Sequence, residues 1–375
     1  MRCATKDFNR LKAAMGKVVT TDVVKVDFAD GELILTGYDK QSSTFARLCT
    51  DAKATKSDEE WTIFLATNTM SAIRLRGENV ALRPNPKGTQ VTIRCGNAKH
   101  ILSCVIDAPE VASIESNLVD VSDSEADVTL PRSAVALASA ASALSTGITS
   151  TIRTYVAIAK KELSVVSTDG SYRMIHYIRK LDKSCKSEVE FVVDSATFAN
   201  VASPFIDEVG IIIDSGIATF QAGGNIVQLP CFDEDFSALL QGYEERMEAK
   251  TLVSYQAKLN KIQEAVQDAT VIISGQDALV ELDLLEDDNL SVSTHSDLGE
   301  AEVKVLCENT LVRRKSLTKA AVSARYLLEM LGNAAAVCGA DAVATFIIVS
   351  KKDFTIDVGD SAFVGLLSQT KVSVS

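Results

Sequence analysis

The chain has 375 residues, which is too many for a single hydrophobic core, so its length favours two or three domains. Hydrophobic residues make up 46% of the chain, enough for each domain to fold around a core of its own. The formal net charge of −12 means that the average surface repels nucleic acid and anionic membranes, although charge can still be segregated by face.

The opening residues, MRCATKDFNRLKAAMG, carry charges throughout and contain no long apolar run, so we expect no signal peptide. No uninterrupted apolar run in the chain approaches the length of a membrane span, and no membrane partner is expected. The eight cysteines are scattered and form no Cys-x-x-Cys pair. This pattern favours free thiols in a reducing cytosol over a disulfide framework, and it predicts a cytoplasmic protein.

The first predicted helix runs roughly from Lys6 to Val18. At about 100° per residue, Lys6, Arg10 and Lys17 gather on one face, opposite an apolar stripe that must pack on a sheet. A basic stripe without aromatic residues is suited to contacting phosphates without reading bases. An ordinary solvated face is the alternative interpretation.

The chain beyond this helix contains an internal repeat. Three stretches share a polar turn, an alternating segment, a break near an aspartate and a second alternating segment: GELILTGYDKQSSTFARL (31–48), KELSVVSTDGSYRMIHYI (161–178) and DNLSVSTHSDLGEAEVKV (288–305). Alternation with a period of two predicts half-buried strands. After each stretch the pattern predicts a strand, a short helix and a strand meander.

The repeat predicts three copies of one α+β domain, at 1–122, 123–247 and 248–375. Positive charge is concentrated in the first copy, where residues 1–120 contain 16 basic against 15 acidic residues. The remaining two thirds of the chain are acidic. The first copy is therefore the strongest candidate for contacting an anionic partner.

Further basic residues are candidates for the same contact. Arg74 adds to the first copy, and Lys261 is on the corresponding helix of the third. The corresponding helix of the second copy has no basic residue after Arg132, so Arg153 and Tyr155 are its candidates, with an ordinary strand edge as the alternative. These residues complete the set predicted to contact DNA: Lys6, Arg10, Lys17, Arg74, Arg153, Tyr155 and Lys261.

No motif in the sequence indicates catalysis. The three histidines, His100, His176 and His295, are far apart, and no metal-binding spacing, nucleophile elbow or phosphate loop occurs. Asp169, in the turn Thr168-Asp169-Gly170, has no evident orienting partner for acid or base chemistry. An aspartate that bonds its own turn is the commoner arrangement. We therefore expect no enzyme, no cofactor and no metal.

Several motifs in order carry a family resemblance. They are Ala29-Asp30-Gly31-Glu32-Leu33-Ile34-Leu35-Thr36-Gly37-Tyr38-Asp39 with Ala46-Arg47, Thr168-Asp169-Gly170 with Arg173-Met174, Glu300-Ala301-Glu302, and Tyr326-Leu327-Leu328-Glu329-Met330-Leu331. They resemble those of the bacterial sliding clamp, the beta subunit of DNA polymerase III. The chain is identified on these motifs as a divergent member of that family, of bacterial or viral origin.

The resemblance implies a ring. Two copies, each of three DNA-clamp domains, would join head to tail as a homodimer, with sheets outside and helices lining a central hole. The ring would encircle double-stranded DNA without reading its sequence and would tether the replicative DNA polymerase as a processivity factor. A clamp loader would be a further partner. The location implied is the bacterial nucleoid or the cytoplasm of a virus-infected bacterium.

The resemblance also implies a hydrophobic peptide-binding pocket between the second and third domains. Carried over to this sequence, its residues are Val156, Thr168, Gly170, Tyr172, Arg173, Met174, Leu239, Val364, Leu366 and Leu367. In this interpretation the turn at Thr168 shapes a rim, Arg173 offers a polar edge and Met174 an apolar floor. The polar chain end and Asp233, near a usual proline, depart from the family pattern.

The implied interface between copies joins Ile101 and Leu102 to Ile262, Val271 and Ile272, with burial in their own domain cores as the alternative. A repeat-built scaffold, such as a virion component, is the second interpretation of the whole chain. A hydrolase is the third, and it would need Asp169 or His176.

Overall fold

The computed structural model describes residues 1–54, 60–106, 111–112, 114, 125–145, 152–170, 172–185, 187–248, 251–271, 278–296, 299–350, 352–359 and 362–369. These residues form two compact units. The first contains Met1–Ala136 and Asn200–Phe232, and the second contains Leu137–Ala199 and Asp233–Ser375.

The helices and strands follow one another three times in a similar order. The first repeat contains β1 (Arg2–Ala4), α1 (Thr5–Val18), β2 (Val23–Ala29), β3 (Glu32–Asp39), β4 (Thr44–Asp51), β5 (Trp61–Ala66), α2 (Thr67–Ala72), β6 (Asn79–Pro84), β7 (Gln90–Cys95) and β8 (Ala98–Ser103). The second contains β9 (Val128–Leu130), α3 (Arg132–Ser142), β10 (Arg153–Ala159), β11 (Glu162–Thr168), β12 (Arg173–Lys180), β13 (Val189–Asp194), α4 (Ser195–Phe198), β14 (Val209–Asp214), β15 (Ile217–Ala222) and β16 (Asn225–Pro230).

Helix α5 (Ser237–Glu248) precedes the third repeat. That repeat contains β17 (Val253–Lys258), α6 (Leu259–Thr270), β18 (Leu279–Leu284), β19 (Asn289–Ser296), β20 (Gly299–Leu306), β21 (Glu308–Val312), a 3-10 turn (Lys315–Leu317), β22 (Lys319–Ser323), α7 (Ala324–Cys338), β23 (Val343–Ile348), β24 (Asp353–Val358) and β25 (Phe363–Ser368).

The strand order repeats as well. Each repeat has an A half-sheet, ordered β5-β2-β3-β4, β13-β10-β11-β12 or β22-β18-β19-β20, and a B half-sheet, ordered β1-β6-β7-β8, β9-β14-β15-β16 or β17-β23-β24-β25. In the third repeat, β21 adds one more strand beside β17. The first unit joins two half-sheets through β4 and β16, and the second unit joins two through β12 and β25. The predicted α+β class is therefore confirmed.

The predicted domain boundaries stay predictions. The two compact units divide the second repeat between them, because its B half-sheet is hydrogen-bonded to the first repeat and its A half-sheet to the third. The boundary at 122/123 lies outside the described residues, and the boundary at 247/248 falls at the end of α5.

Local sequence explains the elements of the first unit. Phe8, Leu11, Met15 and Val18 recur along one face of α1 and are buried against the A half-sheet, as the helical period requires. Gly37 in β3 leaves room for the helix, because a Cβ there would lie 2.8 Å from the sulfur of Met15.

The hairpin between β2 and β3 turns at Asp30 and Gly31, which have φ angles of 51° and 80°. Positive φ at both central residues is the requirement of a two-residue type I′ turn. The Asp-Gly pair of the first motif is therefore explained by the backbone geometry of this turn.

All eight cysteines lie among the described residues, and each is free. None of the helices formed by the described residues is long and apolar enough to cross a membrane.

Candidate functional site

In the second unit, part of one face of the sheet formed by β10, β11, β12 and β25 is apolar. Directly paired residues place their side chains on the same face of a sheet. The pairs Val166 with His176, His176 with Val364, and Met174 with Leu366 therefore bring these side chains to one surface. We call this surface, defined by Val166, Met174, Val364 and Leu366, the Met174 face.

The Met174 face is covered by the chain itself. Tyr243 and Leu240 of α5 pack on its four apolar side chains, which are all buried. The ring of Tyr243 meets the imidazole of His176 edge-on, with 5.3 Å between ring centroids. Phe236, just before α5, stacks on Tyr155 at 5.7 Å. In this structure the Met174 face and Tyr155 are therefore covered by Phe236, Leu240 and Tyr243.

Two titratable groups of this region have shifted pKa values. Burial lowers the pKa of His176, whose Nε2 lies 2.9 Å from the hydroxyl of Ser164. Burial and a hydrogen bond with Glu190 raise the pKa of Tyr155 to about 12. Both side chains are therefore neutral near pH 7, as suits groups under an apolar cover.

The structure divides the predicted pocket residues between two faces. Thr168 pairs with Met174 and is buried beside it, whereas Gly170 and Tyr172 are exposed in the turn that follows. The expectation of one continuous wall is wrong for Val156, Arg173 and Leu367, because they alternate along their strands with residues of the Met174 face and so point to the opposite side. The side chain of Leu239 lies outside the described residues.

Arg173 is held inside the second unit, on the side of the sheet where α7 packs. Its side chain has no exposed surface, and its Nε donates to Asp169 Oδ2 at 2.9 Å. One of its terminal nitrogens pairs with the carboxylate of Glu329 on α7, and the other donates to the carbonyl oxygen of Ser145 at 2.8 Å. The ring of Tyr326 lies 4.0 Å from the guanidinium carbon. The expectation that Arg173 forms a polar pocket edge is therefore wrong.

The Thr-Asp-Gly turn positions this arginine. Asp169 Oδ1 accepts hydrogen bonds from the backbone N–H groups of Tyr172 at 2.7 Å and Arg173 at 3.0 Å. The hydroxyl of Thr168 donates to the carbonyl oxygen of Arg173, and Gly170 follows with a φ of 77°. Asp169 is thus engaged with its own turn and with Arg173, an arrangement that gives the hydrolase interpretation no support.

The basic residues predicted for DNA contact differ in their surroundings. Lys6, Lys17 and Arg74 are exposed in the first unit. Arg10 is half-buried and lines a cavity that also contains Glu32, Asp51, Asp207 and Glu208. The phosphate contact predicted for Arg10 is therefore less favourable than for Lys6 and Lys17, since four carboxylates share its surroundings.

In the second unit, Arg153 forms an ion pair with Glu234 at 2.8 Å, and Tyr155 is packed on Phe236. Both lie on the same side of the sheet as Met174, opposite α7. The DNA contact suggested for these two residues stays a prediction. Lys261 on α6 is exposed and pairs with Glu264 at 2.9 Å.

The residues predicted for an interface between copies are also divided. Ile101 on β8 is 55% exposed and Val271 is 80% exposed, whereas Leu102 is nearly buried. Ile262 has no exposed surface and belongs to the core of its own repeat, which is the alternative interpretation. Ile272 lies outside the described residues.

Two features were missed from the sequence. Helix α5 was not anticipated as a cover, although Phe236, Leu240 and Tyr243 follow a helical spacing. The place of β20 at the outside of its half-sheet was also missed. The internal repeat aligns β20 with β4 and β12, which hold the same place in their own half-sheets.

Comparisons with known proteins identify the fold. No family model matches the chain, and no curated protein matches it in sequence. Solved structures match along the whole length. The DNA polymerase sliding clamp from Bacillus subtilis is 16% identical with a TM-score of 0.75, the match covering 99% of this chain and 98% of that one.

Two further matches, each covering 99% of both chains, are the DNA polymerase III beta chain from Streptococcus pneumoniae, at 14% identity and a TM-score of 0.76, and a sliding clamp from Pseudomonas aeruginosa bound to griselimycin, at 14% and 0.71. The resemblance noted in the motifs is thus confirmed at the level of the fold, and the chain has the complete fold of the DNA polymerase III beta sliding clamps.

Proposed function

We propose that the chain is a divergent DNA sliding clamp. Two copies would close head to tail into a ring around duplex DNA, and the ring would tether a replicative DNA polymerase after assembly by a clamp loader. One observation carries the proposal. The strand order repeats three times, and among the described residues one A half-sheet and one B half-sheet lack the join that the others make.

The joins already made indicate the missing one. In both units the last strand of an A half-sheet pairs with the last strand of a B half-sheet, as β4 does with β16 and β12 with β25. The corresponding strands still at the outside of their sheets, in the described part of the chain, are β20 and β8. Joining β20 of one copy to β8 of another, twice, closes a two-fold symmetric dimer.

The register of the proposed join follows from the same repeat. The third residues of the paired strands lie opposite each other in both existing joins, Ala46 with Val227 and Ile175 with Gly365. Applied to β20 and β8, this register brings Ala301 opposite His100 and therefore Glu302 opposite Lys99.

Charge and burial support the proposed join. Opposite charges directly across an antiparallel pair contribute roughly 0.2–1 kcal/mol. The join would also cover Ile101, which is exposed on an edge strand. Ile101 and Leu102 thus remain in the proposed interface, while β20 replaces the buried Ile262 as their partner.

DNA retention in this proposal needs no base contacts. Lys6 and Lys17 on α1 and Arg74 after α2 are exposed cations in the first unit, and cations that meet only phosphates leave a clamp free to slide. The chain as a whole carries −12, which discourages adsorption of DNA elsewhere on the surface. A polymerase bound to the ring would rebind its template as an intramolecular event. The role needs no catalytic group.

The proposal is tested by sedimentation and negative-stain imaging of the purified chain over a range of concentrations. We expect particles of twice the 40.2 kDa chain mass, with a hole that admits duplex DNA. Compact monomers at every concentration would refute the clamp proposal. Open filaments or lattices would instead favour the repeat-built scaffold.

A further inference from the structure

We propose that α5 is a built-in occupant of the Met174 face, which any partner peptide must displace in order to dock there. The identity of the face as a docking surface rests on the proposed function. The presence of the occupant rests on contacts within the second unit alone.

The contacts have the pattern of a bound amphipathic helix. Phe236, Leu240 and Tyr243 are spaced four and three residues apart, so they lie along one side of a helical segment, and all three contact the sheet side. Gln241 and Glu245 are exposed on the other side and bond to each other at 3.2 Å. A helix laid with its apolar side on a hydrophobic surface is a recurrent mode of peptide recognition.

The occupant is held mainly by this packing. A helix of this length is marginal in water when isolated, because nucleation is unfavourable. Gly242 in its interior further lowers its helix propensity, and a Cβ at that position would meet nothing within 4 Å. At the start of the helix, exposed Asp235 accepts a hydrogen bond through Oδ1 from the N–H of Ser237 at 2.8 Å. Lifting α5 therefore costs mainly its contacts with the Met174 face.

Lifting α5 would uncover a preformed apolar surface. Val166, Met174, Val364 and Leu366 belong to neighbouring strands whose backbone hydrogen bonds do not involve α5. The sheet can therefore keep its shape while its cover moves. Ligand surfaces of this kind are largely apolar and formed in advance.

Self-occupation lowers apparent affinity for any competitor. A ligand that binds only the open state binds more weakly by the fraction of molecules that are open. With an open state populated at roughly 1–10%, the weakening is about 10- to 100-fold. Docking on this chain is thereby made conditional on release of α5.

The test uses a fluorescein-labelled synthetic peptide with the sequence of residues 235–248, DFSALLQGYEERME, titrated with the full chain and followed by anisotropy. In the wild type the tethered segment competes with this probe. The double variant Leu240→Ser, Tyr243→Ser weakens the tethered copy and should bind the probe at least about tenfold more tightly. The matched control Gln241→Ser, an exposed position on the same helix, should behave as the wild type.

Adding Met174→Asp to the double variant should abolish probe binding, because a carboxylate is then placed at the centre of the apolar face. Equal binding by the wild type and the double variant overturns the proposal. So does failure of the double variant to bind the probe, or binding that survives Met174→Asp.

Hydrogen exchange on the wild-type chain gives a second reading that needs no variant. Amides of α5 should exchange through local opening, faster than those of β12 and β25. Exchange of α5 as slow as that of the strands would overturn the inference. Sedimentation of the same samples separates the two proposals, because a monomeric chain refutes the clamp while leaving the probe competition measurable.

Discussion

Replacing Arg173 by leucine should destabilise the second unit strongly. The guanidinium has no exposed surface and is the cation that faces both Asp169 and Glu329. The side chain of Asp169 is itself 1% exposed, so the variant removes the guanidinium from beside a buried carboxylate. Removing one partner of a buried ion pair costs about 3–5 kcal/mol, a large share of the roughly 5–15 kcal/mol that stabilises a domain.

A second substitution should recover part of the lost stability. Arg173→Leu combined with Glu329→Leu removes one of the stranded charges together with the cation. The two changes should therefore cost less together than the sum of the separate changes, with a coupling of roughly 0.5–3 kcal/mol. The matched control is Arg314→Leu, which removes an exposed arginine of the same unit and should change stability by less than about 0.5 kcal/mol.

The assay is urea unfolding followed by circular dichroism, comparing the transition of the second unit among the wild type, the three single variants and the double variant. The contacts of Arg173 all lie within that unit, so a loss there should leave the transition of the first unit in place. If Arg173→Leu lowers the free energy of unfolding no more than Arg314→Leu does, the reasoning about a buried, stabilising ion pair is refuted.

Three further outcomes are expected. Lys99→Glu should weaken association of copies in sedimentation, and adding Glu302→Lys should restore it; association that ignores both changes would contradict the proposed register. Lys6→Glu with Lys17→Glu should weaken retention on circular DNA and reduce the salt dependence by about two phosphate contacts, whereas unchanged retention would exclude α1 from the DNA surface. Burial lowers the pKa of His176 below its ordinary value of 6.5, so the unfolded state takes up the proton first as pH falls. The free energy of unfolding should therefore decrease below about pH 6.5 and be retained above it. If a His176→Gln variant loses stability over the same pH range as the wild type, the assignment to His176 is wrong.

The sequence was most informative about the repeat itself. Alternation in the three aligned stretches predicted strands that the structure contains, and the Asp30-Gly31 pair has the positive φ angles of a two-residue hairpin turn. These features depend on near neighbours in the chain, so local patterns suffice to predict them.

The candidate site was harder to predict, for two physical reasons. Arg173 and Met174 are adjacent in one strand, so their side chains must point to opposite faces of the sheet. The residues carried over from the family resemblance were placed in one pocket without regard to this alternation. Whether α5 packs on the Met174 face depends on contacts between residues far apart in the chain, such as Tyr243 with His176. A helical spacing can predict an apolar side but not the surface against which that side packs.

The joins within one chain and the proposed joins between copies should differ in how they form again after the strands separate. The β4–β16 and β12–β25 joins are made within one polypeptide, so their strands stay at high effective concentration after separation and can pair again regardless of dilution. The two proposed β8–β20 joins have no covalent tether, so once both have opened, the rate at which the copies pair again falls with dilution. Dilution would therefore act only on the β8–β20 joins, and those joins would be the gate through which a closed DNA circle enters or leaves.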